Sequence, residues 1–327
     1  MFTEGDSVAK KIEKEDNNWI YENYNQALNE VKKLIVGKDE IIRNILVAIF
    51  VEGHVLLEGV PGIAKTRMAN AIAQTLNCGF KRIQFTPDLL PSDIIGTMVY
   101  DSNMNKFVLK KGPIFTNIIL ADEINRAPPK TQSALLEAMQ ERQVTIDGVT
   151  YPLPYPFVVL ATQNPIEMEG TYPLPEAQVD RFLFKLILDY PTKEEEKSII
   201  EMKMSEDAVV EKVLDPEEIK GINGEIQKVF MDKSIVDYIV DIVGATRNRA
   251  DVQLGASPRA SIALMRGAKA LALLDKRDYV IPDDVKKLAF HALRHRILLN
   301  PEAELTGIKV DDVIEDILNT VKVPKLK

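Results

Sequence analysis

The spacing of apolar residues divides the chain into two parts with different periods. From residue 54 to about residue 189, short apolar segments rich in leucine or β-branched residues alternate with helical patterns. We predict strands at residues 54–58, 81–85, 117–122, 157–162 and 182–188. Because these segments are interpreted as apolar on both faces, they favour a parallel sheet that is covered by helices on both sides.

After residue 190 the apolar spacing is helical throughout. Successive stripes are Ile219, Ile222, Ile226 and Val229, then Ile235, Ile239, Ile242 and Val243, then Val285, Leu288 and Ala292, and last Val313, Ile317 and Leu318. Such spacing is typical of amphipathic helices, and we see no strand pattern between them. We therefore predict an all-α domain over 191–327, after an α/β domain over 37–190. Residues 1–36 are interpreted as a polar leader followed by a helix.

Two proline-containing segments interrupt the α/β domain, at about 86–112 and 142–156. In the second segment, Asp147-Gly148 is a typical two-residue turn between strands, so we predict a hairpin there. In the first segment, Lys106, Lys110 and Lys111 give a mildly basic character.

Composition narrows the possible functions. The 327 residues carry a net charge of −8 without any Lys/Arg tract, which argues against constitutive binding to nucleic acid. No apolar run approaches the length of about 18 residues that a membrane helix needs, and the N-terminus lacks a signal-peptide core. The single cysteine, Cys78, excludes an internal disulfide. We interpret it as a small buried residue and expect a reducing compartment, the cytoplasm.

A phosphate-binding loop follows the first predicted strand. Residues 59–66 have the sequence Gly-Val-Pro-Gly-Ile-Ala-Lys-Thr and lead into a helix. In such loops backbone N–H groups turn toward phosphate oxygens, the lysine reaches the β- and γ-phosphates, and the hydroxyl binds Mg²⁺. Ala64 stands where glycine is usual and needs a backbone conformation that tolerates a Cβ. The predicted nucleotide-binding residues are Gly59, Val60, Pro61, Gly62, Ile63, Ala64, Lys65, Thr66 and Arg67.

Two adjacent carboxylates end the third predicted strand. Asp122 is placed to hold Mg²⁺ directly or through water, together with Thr66, and Glu123 to orient and polarise an attacking water. Unpaired charges at the end of a buried strand are costly, so a cation is expected nearby. Asn164 follows the fourth strand and would lie between the two motifs, although Asn164-Pro165 taken alone favours a simple turn.

The order of these motifs resembles that of the AAA+ ATPases, and their amino-acid sequences resemble those of the MoxR family. The matching segments are 59–66, 121–139 (Ala-Asp-Glu-Ile-Asn-Arg-Ala-Pro-Pro-Lys-Thr-Gln-Ser-Ala-Leu-Leu-Glu-Ala-Met), 161–165, 174–182 and 255–260. The resemblance covers nearly the whole chain, from about Val36 to the last helix, and leaves out the first 30 residues. In that family alanine before the loop lysine is usual. The resemblance implies an AAA+ core, with a five-stranded parallel sheet sandwiched by helices, and a smaller all-α lid.

The resemblance also assigns roles to further residues. Val36 and Gly37, followed by Lys38, resemble the loop that touches adenine, and Asn164 resembles the sensor that contacts the γ-phosphate. Gln84, at the end of the second strand, is a candidate switch partner of Glu123.

Two arginines resemble residues that reach a bound nucleotide. Arg181 resembles the arginine finger that acts on the ATP of the neighbouring subunit, and Arg259 resembles a lid residue that reaches the nucleotide of its own subunit. Arg126 remains an alternative to Arg181. Without the resemblance, a surface salt bridge explains either Arg181 or Arg259 equally well.

The function that the resemblance implies is ATP hydrolysis with Mg²⁺ by a homo-oligomeric ring, a hexamer in related proteins. The ring would act as a chaperone on a protein client, with a von Willebrand factor A (VWA) domain protein as partner. The two inserted segments would project toward the pore of the ring. A DNA-acting motor and an ATP-switched scaffold with negligible turnover stay open as alternatives.

Overall fold

The computed structural model describes residues 18–60, 62–164, 170–204 and 208–325. Residues 1–17 of the predicted N-terminal segment 1–36, together with Pro61 of the phosphate loop and Pro165, lie outside the described residues. Among the described helices, none is long and apolar enough to cross a membrane.

The strands in chain order are β1 (Val55–Gly59), β2 (Phe80–Gln84), β3 (Gly96–Asp101), β4 (Lys106–Lys111), β5 (Ile118–Asp122), β6 (Gln143–Ile146), β7 (Val149–Pro152), β8 (Val158–Gln163), β9 (Phe184–Leu188), β10 (Val252–Leu254) and β11 (Leu298–Leu299). The helices are α1 (Asn18–Lys32), α2 (Asp39–Phe50), α3 (Lys65–Thr75), α4 (Pro91–Ile95), α5 (Pro129–Glu141), α6 (Glu176–Val179), α7 (Lys193–Met204), α8 (Pro216–Lys228), α9 (Lys233–Ala245), α10 (Pro258–Leu274), α11 (Pro282–Leu293), α12 (Pro301–Leu305) and α13 (Val310–Thr320).

A five-stranded parallel sheet in the order β2-β5-β8-β1-β9 organises the first part of the chain. The five predicted strands are confirmed, each within two residues of its expected bounds. One expectation about them is wrong, because β2 is not apolar on both faces. It lies at the edge of the sheet and leaves Lys81, Arg82 and Gln84 exposed.

The sheet separates two hydrophobic clusters. Alternate residues of β5 enter opposite clusters, with Ile118 and Leu120 on one side and Ile119 and Ala121 on the other, as a strand with two buried faces requires. The first cluster continues into the apolar faces of α1 and of the helices that follow β9. The helical part therefore packs on one face of the sheet rather than standing apart from it.

The second part of the chain is the predicted helical lid, with one addition that the sequence pattern did not reveal. Strands β10 and β11 pair antiparallel to form a small ribbon. Segments of three and two residues are too short to show the alternation by which a strand is recognised.

The two inserted segments each contain a hairpin. The predicted turn at Asp147-Gly148 is confirmed between β6 and β7, with φ angles of 51° and 78° at these two residues. The segment 86–112 folds into the short helix α4 and the hairpin β3–β4, which was not predicted. Cys78 is buried as expected, and burial raises the pKa of its thiol to about 12.

Candidate active site

The carboxyl ends of β1, β5 and β8 meet at one edge of the sheet, where parallel α/β sheets bind ligands. A cleft of about 420 Å³ opens there. Among the described residues, its lining consists of Gly62, Ala64, Lys65, Thr66, Arg67, Arg82, Asp122, Glu123 and Asn164. The structure thus brings the phosphate loop, the paired carboxylates and Asn164 together in one place.

Two glycines of the loop are required by the backbone. A Cβ on Gly59 would lie 2.6 Å from the carbonyl oxygen of Leu188, closer than the packing of β1 against β9 allows. Gly62 has open space around it but a φ of 86°, in the left-handed region that favours glycine. These constraints shape the turn by which the chain leaves β1 and enters α3.

Ala64 has a φ of 60° and a ψ of 22°, also in the left-handed region, immediately before α3 begins. The conformation is one in which a Cβ costs about 1–2 kcal/mol, so Ala64 is strained rather than accommodated. Residues held in such conformations cluster at functional sites.

Lys65 reaches back across the loop. Its Nζ donates a hydrogen bond of 2.7 Å to the carbonyl oxygen of Gly59. Partial burial lowers the pKa of this ammonium, while the negative charges of Asp122 and Glu123 act in the opposite direction. The ammonium group of Lys65 therefore lies in the cleft close to two carboxylates, and its positive charge would attract a phosphate group.

Asp122 is held on both carboxylate oxygens. The Arg82 guanidinium donates to Oδ2 at 2.6 and 3.0 Å, and the Thr162 hydroxyl donates to Oδ1 at 2.6 Å. The same hydroxyl accepts the backbone N–H of Glu123 at 2.8 Å. Thr162 thus fixes both residues of the acidic pair from the neighbouring strand β8.

The Glu123 side chain is oriented by two donors. Gln84 Nε2 donates to Oε2 at 2.8 Å, and an Arg126 guanidinium nitrogen donates to the same oxygen at 3.1 Å. The backbone of Glu123 is left-handed, with a φ of 56°. The suggested pairing of Gln84 with Glu123 exists in the structure, and Arg126 contacts the acidic residue of its own chain.

Arg82 is a site residue that sequence reasoning missed. It lines the cleft and pairs with Asp122, although it comes from the edge strand β2. The sequence does contain a signal for Arg82. This residue stands two positions before Gln84, so both side chains lie on the same face of the strand. It was overlooked because the strand was interpreted as buried on both faces.

The remaining predicted residues lie at different distances from this cleft. Asn164 is buried and lines it directly. Gly37 has a φ of 70° and packs so closely against Glu195 of α7 that a Cβ would collide with that side chain. Val36 and Gly37 are not among the described residues that line the phosphate cleft, and their contact with adenine stays a prediction.

Arg181 and Arg259 lie near each other, away from the phosphate cleft. Both line a second pocket between the lid and the α/β domain, and neither is among the described lining of the phosphate cleft. Arg259 was expected at the nucleotide of its own subunit, and the structure does not bring it there. Its guanidinium lies 3.7 Å from Asp180, whose negative charge attracts it at the start of α10.

Comparison with known proteins agrees with this geometry. The sequence pattern of the "ATPase family associated with various cellular activities (AAA)" matches residues 54–184, and that of the AAA lid domain matches residues 244–317. The protein named Chaperone MoxR1 from Mycobacterium tuberculosis is 47% identical over 310 residues, which cover 92% of this chain and 82% of the relative. The chain belongs to the MoxR family of AAA+ ATPases.

Two further relatives and a solved structure extend the match. YeaC of Bacillus subtilis is 52% identical over 91% of this chain and 94% of its own length. Protein MoxR of Methylorubrum extorquens is 31% identical over 90% of this chain and 93% of its own. A crystal structure of a protein from Cytophaga hutchinsonii superposes with a TM-score of 0.88 at 48% identity and covers 98% of both chains. The similarity therefore extends over nearly the whole chain.

Proposed function

We propose that this MoxR-family protein binds ATP with Mg²⁺ and hydrolyses it, and that it does so as a ring of identical copies. The observation that carries the proposal is the convergence of Lys65, Asp122 and Glu123 in one cleft at the carboxyl edge of the sheet. A cation for the phosphates, an oxygen ligand for a metal and a base for water are the groups that ATP hydrolysis requires.

The donor set of the cleft fits Mg²⁺. Thr66 and Asp122 line it together and offer a hydroxyl and a carboxylate, the hard oxygens that this ion prefers. Within the described residues, no group of three His, Cys, Asp or Glu side chains could hold a metal ion by itself. Mg²⁺ usually keeps several waters and binds through one or two protein oxygens plus substrate phosphates, so a sparse set is appropriate. Bound there, the ion would neutralise charge on the phosphates.

The chain's own groups would then perform the hydrolytic step. Lys65 would hold the phosphates, and Glu123 would accept a hydrogen bond from the attacking water and orient it. Gln84 and Arg126 already hold one oxygen of Glu123, so its position depends on their hydrogen bonds. Asn164, buried at the end of β8, would contact the γ-phosphate or the water from the other side.

We propose a protein client as the target of this ATPase, since a relative carries the name Chaperone MoxR1. The hairpin β3–β4 supports this, because it exposes four large apolar side chains, Val99, Tyr100, Met104 and Phe107. Exposed apolar groups that lie close together are typical of a protein-contacting surface. A VWA-domain partner, a hexameric ring and a cytoplasmic location belong to the same proposal and rest on resemblance.

Replacing Glu123 by Gln tests the hydrolytic role. We expect Glu123→Gln to retain ATP binding and to lose turnover by at least about 100-fold, because the amide cannot serve as a base. Nucleotide affinity and phosphate release are the measurements, and Glu304→Gln, an exposed lid carboxylate, is the control. Turnover close to wild type would disprove the assignment.

A wild-type protein that binds ATP without releasing phosphate would favour the switched scaffold, and strong stimulation by DNA would favour a motor.

A further inference from the structure

A pocket of about 230 Å³ lies where the lid helix α10 meets the end of α5 and the start of β1. Its charged lining is dominated by guanidinium groups, from Arg142, Arg181, Arg259, Arg266 and Arg296. We call it the arginine pocket. Glu52 and Asp180 are the acidic residues in its described lining. Positive charge therefore exceeds negative charge among the residues that line this pocket.

Both carboxylates of the arginine pocket are already occupied. Glu52 forms an ion pair with Arg142. Asp180 accepts a hydrogen bond of 2.8 Å from Arg296 and also lies near Arg259. The pocket's own acidic groups are thus committed to three of the five arginines.

The other two arginines lack acidic partners. Arg181 donates one hydrogen bond of 3.0 Å to the Leu136 carbonyl oxygen, and its buried Nε has no partner. Arg266 makes no hydrogen bond or ion pair with any residue in the described parts of the chain. Burial lowers the pKa of its guanidinium, and the like charge of Arg142 lowers it further. A partly buried cation without a partner is costly, so this geometry favours an anion supplied from outside the subunit.

We propose that Arg266 binds the phosphate groups of a nucleotide held by the neighbouring copy in the ring, beside Arg181 and Arg259. Arg259 and Arg266 are seven residues apart on α10, which places them on one face of the helix about 10 Å apart along its axis. Their long side chains enter the same pocket as Arg181. This inference rests on the proposed ATPase activity of a ring and adds a third cation to its shared site.

The test compares Arg266→Gln with Arg266→Lys and with Lys269→Gln. The last variant removes a positive charge from the same helix, where Lys269 bonds the Gln227 carbonyl oxygen outside the pocket. We expect Arg266→Gln to leave ATP affinity of the isolated subunit unchanged and its thermal stability equal to that of wild type or higher, because the variant removes a partly buried charge that has no partner among the described residues. Hydrolysis by the assembled ring should fall at least about tenfold, the scale of a lost charge-assisted hydrogen bond. Arg266→Lys should recover part of the loss, and Lys269→Gln should behave as wild type.

Mixing Arg266→Gln with Glu123→Gln subunits then locates the effect. An intact Glu123 facing an intact Arg266 on the next copy should restore hydrolysis. Unchanged hydrolysis in the single variant, loss that mixing does not restore, or weaker ATP binding by the isolated subunit would each overturn the proposal. If ring assembly without nucleotide weakens instead, the anion is a carboxylate of the neighbouring copy and the proposal is wrong. Should Arg181→Ala show restoration while Arg266→Gln does not, only this inference fails and the proposed ATPase stands.

Discussion

The phosphate cleft and the arginine pocket differ in how their charges are balanced. In the cleft, the carboxylates of Asp122 and Glu123 are both matched by donors from the same subunit, namely Arg82, Thr162, Gln84 and Arg126. In the arginine pocket, Glu52 and Asp180 are both paired with arginines, and the positive charges of Arg181 and Arg266 have no acidic partner in the described parts of the chain. The carboxylates of the cleft are paired within one subunit, whereas two arginines of the pocket have no acidic partner among the described residues.

That difference suggests how one subunit divides its work. The cleft has the groups for binding a nucleotide and activating water, so changes there should act on an isolated subunit. The pocket has the groups for stabilising negative charge presented by a neighbour, so changes there should act only after assembly. The following predictions separate the two regions, beginning with the largest expected effect.

Arg181→Ala should reduce hydrolysis by the assembled ring about 1,000-fold, which is the scale measured for arginine fingers. ATP affinity of the isolated subunit should not change, because Arg181 is not among the described residues that line the cleft. Phosphate release at high and low protein concentration checks this, with Arg43→Ala as the control for loss of an exposed arginine. Reduced affinity in the isolated subunit would contradict the division of the two regions.

His54 lies in the lining of the arginine pocket, and its titration should make stability depend on pH. It lines the arginine pocket, its Nδ1 accepts the Val159 N–H of β8 at 3.0 Å, and its Nε2 bonds the Met139 carbonyl oxygen at 2.9 Å. Burial lowers the pKa of His54 to about 4, and the positive charge of Arg266 contributes to the lowering. The folded state therefore favours the neutral ring, and the associated stability is present above pH 6.5 and lost as the pH falls toward 4.

The His54 contribution is measurable by urea unfolding. Between pH 7 and pH 5 the free energy of unfolding should fall by about 2 kcal/mol more in wild type than in His54→Gln, which keeps a donor and an acceptor. Equal pH dependence in the two proteins would show that His54 does not carry this effect.

Arg82→Gln should weaken ATP binding about tenfold, because it removes a positive charge from a cleft that also contains two carboxylates. The loss of ATP affinity should be the same in the isolated subunit and in the ring, whereas the effect of Arg181→Ala should appear only in the ring. Lys81→Gln is the matched control, since Lys81 is an exposed neighbour on β2 outside the cleft lining. Nucleotide titration by fluorescence would measure both, and an Arg82 effect that appears only on assembly would assign this residue to the neighbour's site.

Ala64→Gly should give the smallest change, a stabilisation of up to about 1 kcal/mol, because glycine relieves the left-handed strain but loses more entropy on folding. Ala69→Gly, in the interior of α3, should instead cost about 1 kcal/mol or more. Thermal unfolding of the two variants provides the comparison. Destabilisation by both would mean that the Ala64 methyl group makes a contact that outweighs its strain.

The sequence predicted the sheet and the phosphate cleft because both depend on local signals. The strands of the core are continuous apolar segments, and the loop residues are contiguous, so Lys65 and Asp122 could be placed from spacing and chemistry alone. The arginine pocket could not be predicted in this way. Arg142, Arg181 and Arg266 are far apart in the chain, and only the packing of α10 against the α/β domain brings them together.

Edge and ribbon elements were missed for a related reason. Strand β2 was interpreted as buried, although its charged positions mark an edge, and this concealed Arg82. Strands β10 and β11 are too short to carry a period. In each case the decisive information is which element lies beside which, and that is a property of tertiary packing rather than of local sequence.

The most direct measurement of the central claim, that the two regions of different copies form one active site, is hydrolysis by mixed rings. Arg181→Ala and Glu123→Gln subunits should each be inactive alone, since one lacks the trans-acting cation and the other the base. When they are mixed, phosphate release should reappear, because interfaces form in which an intact Glu123 faces an intact Arg181. Mixed rings that assemble but remain inactive would contradict the account.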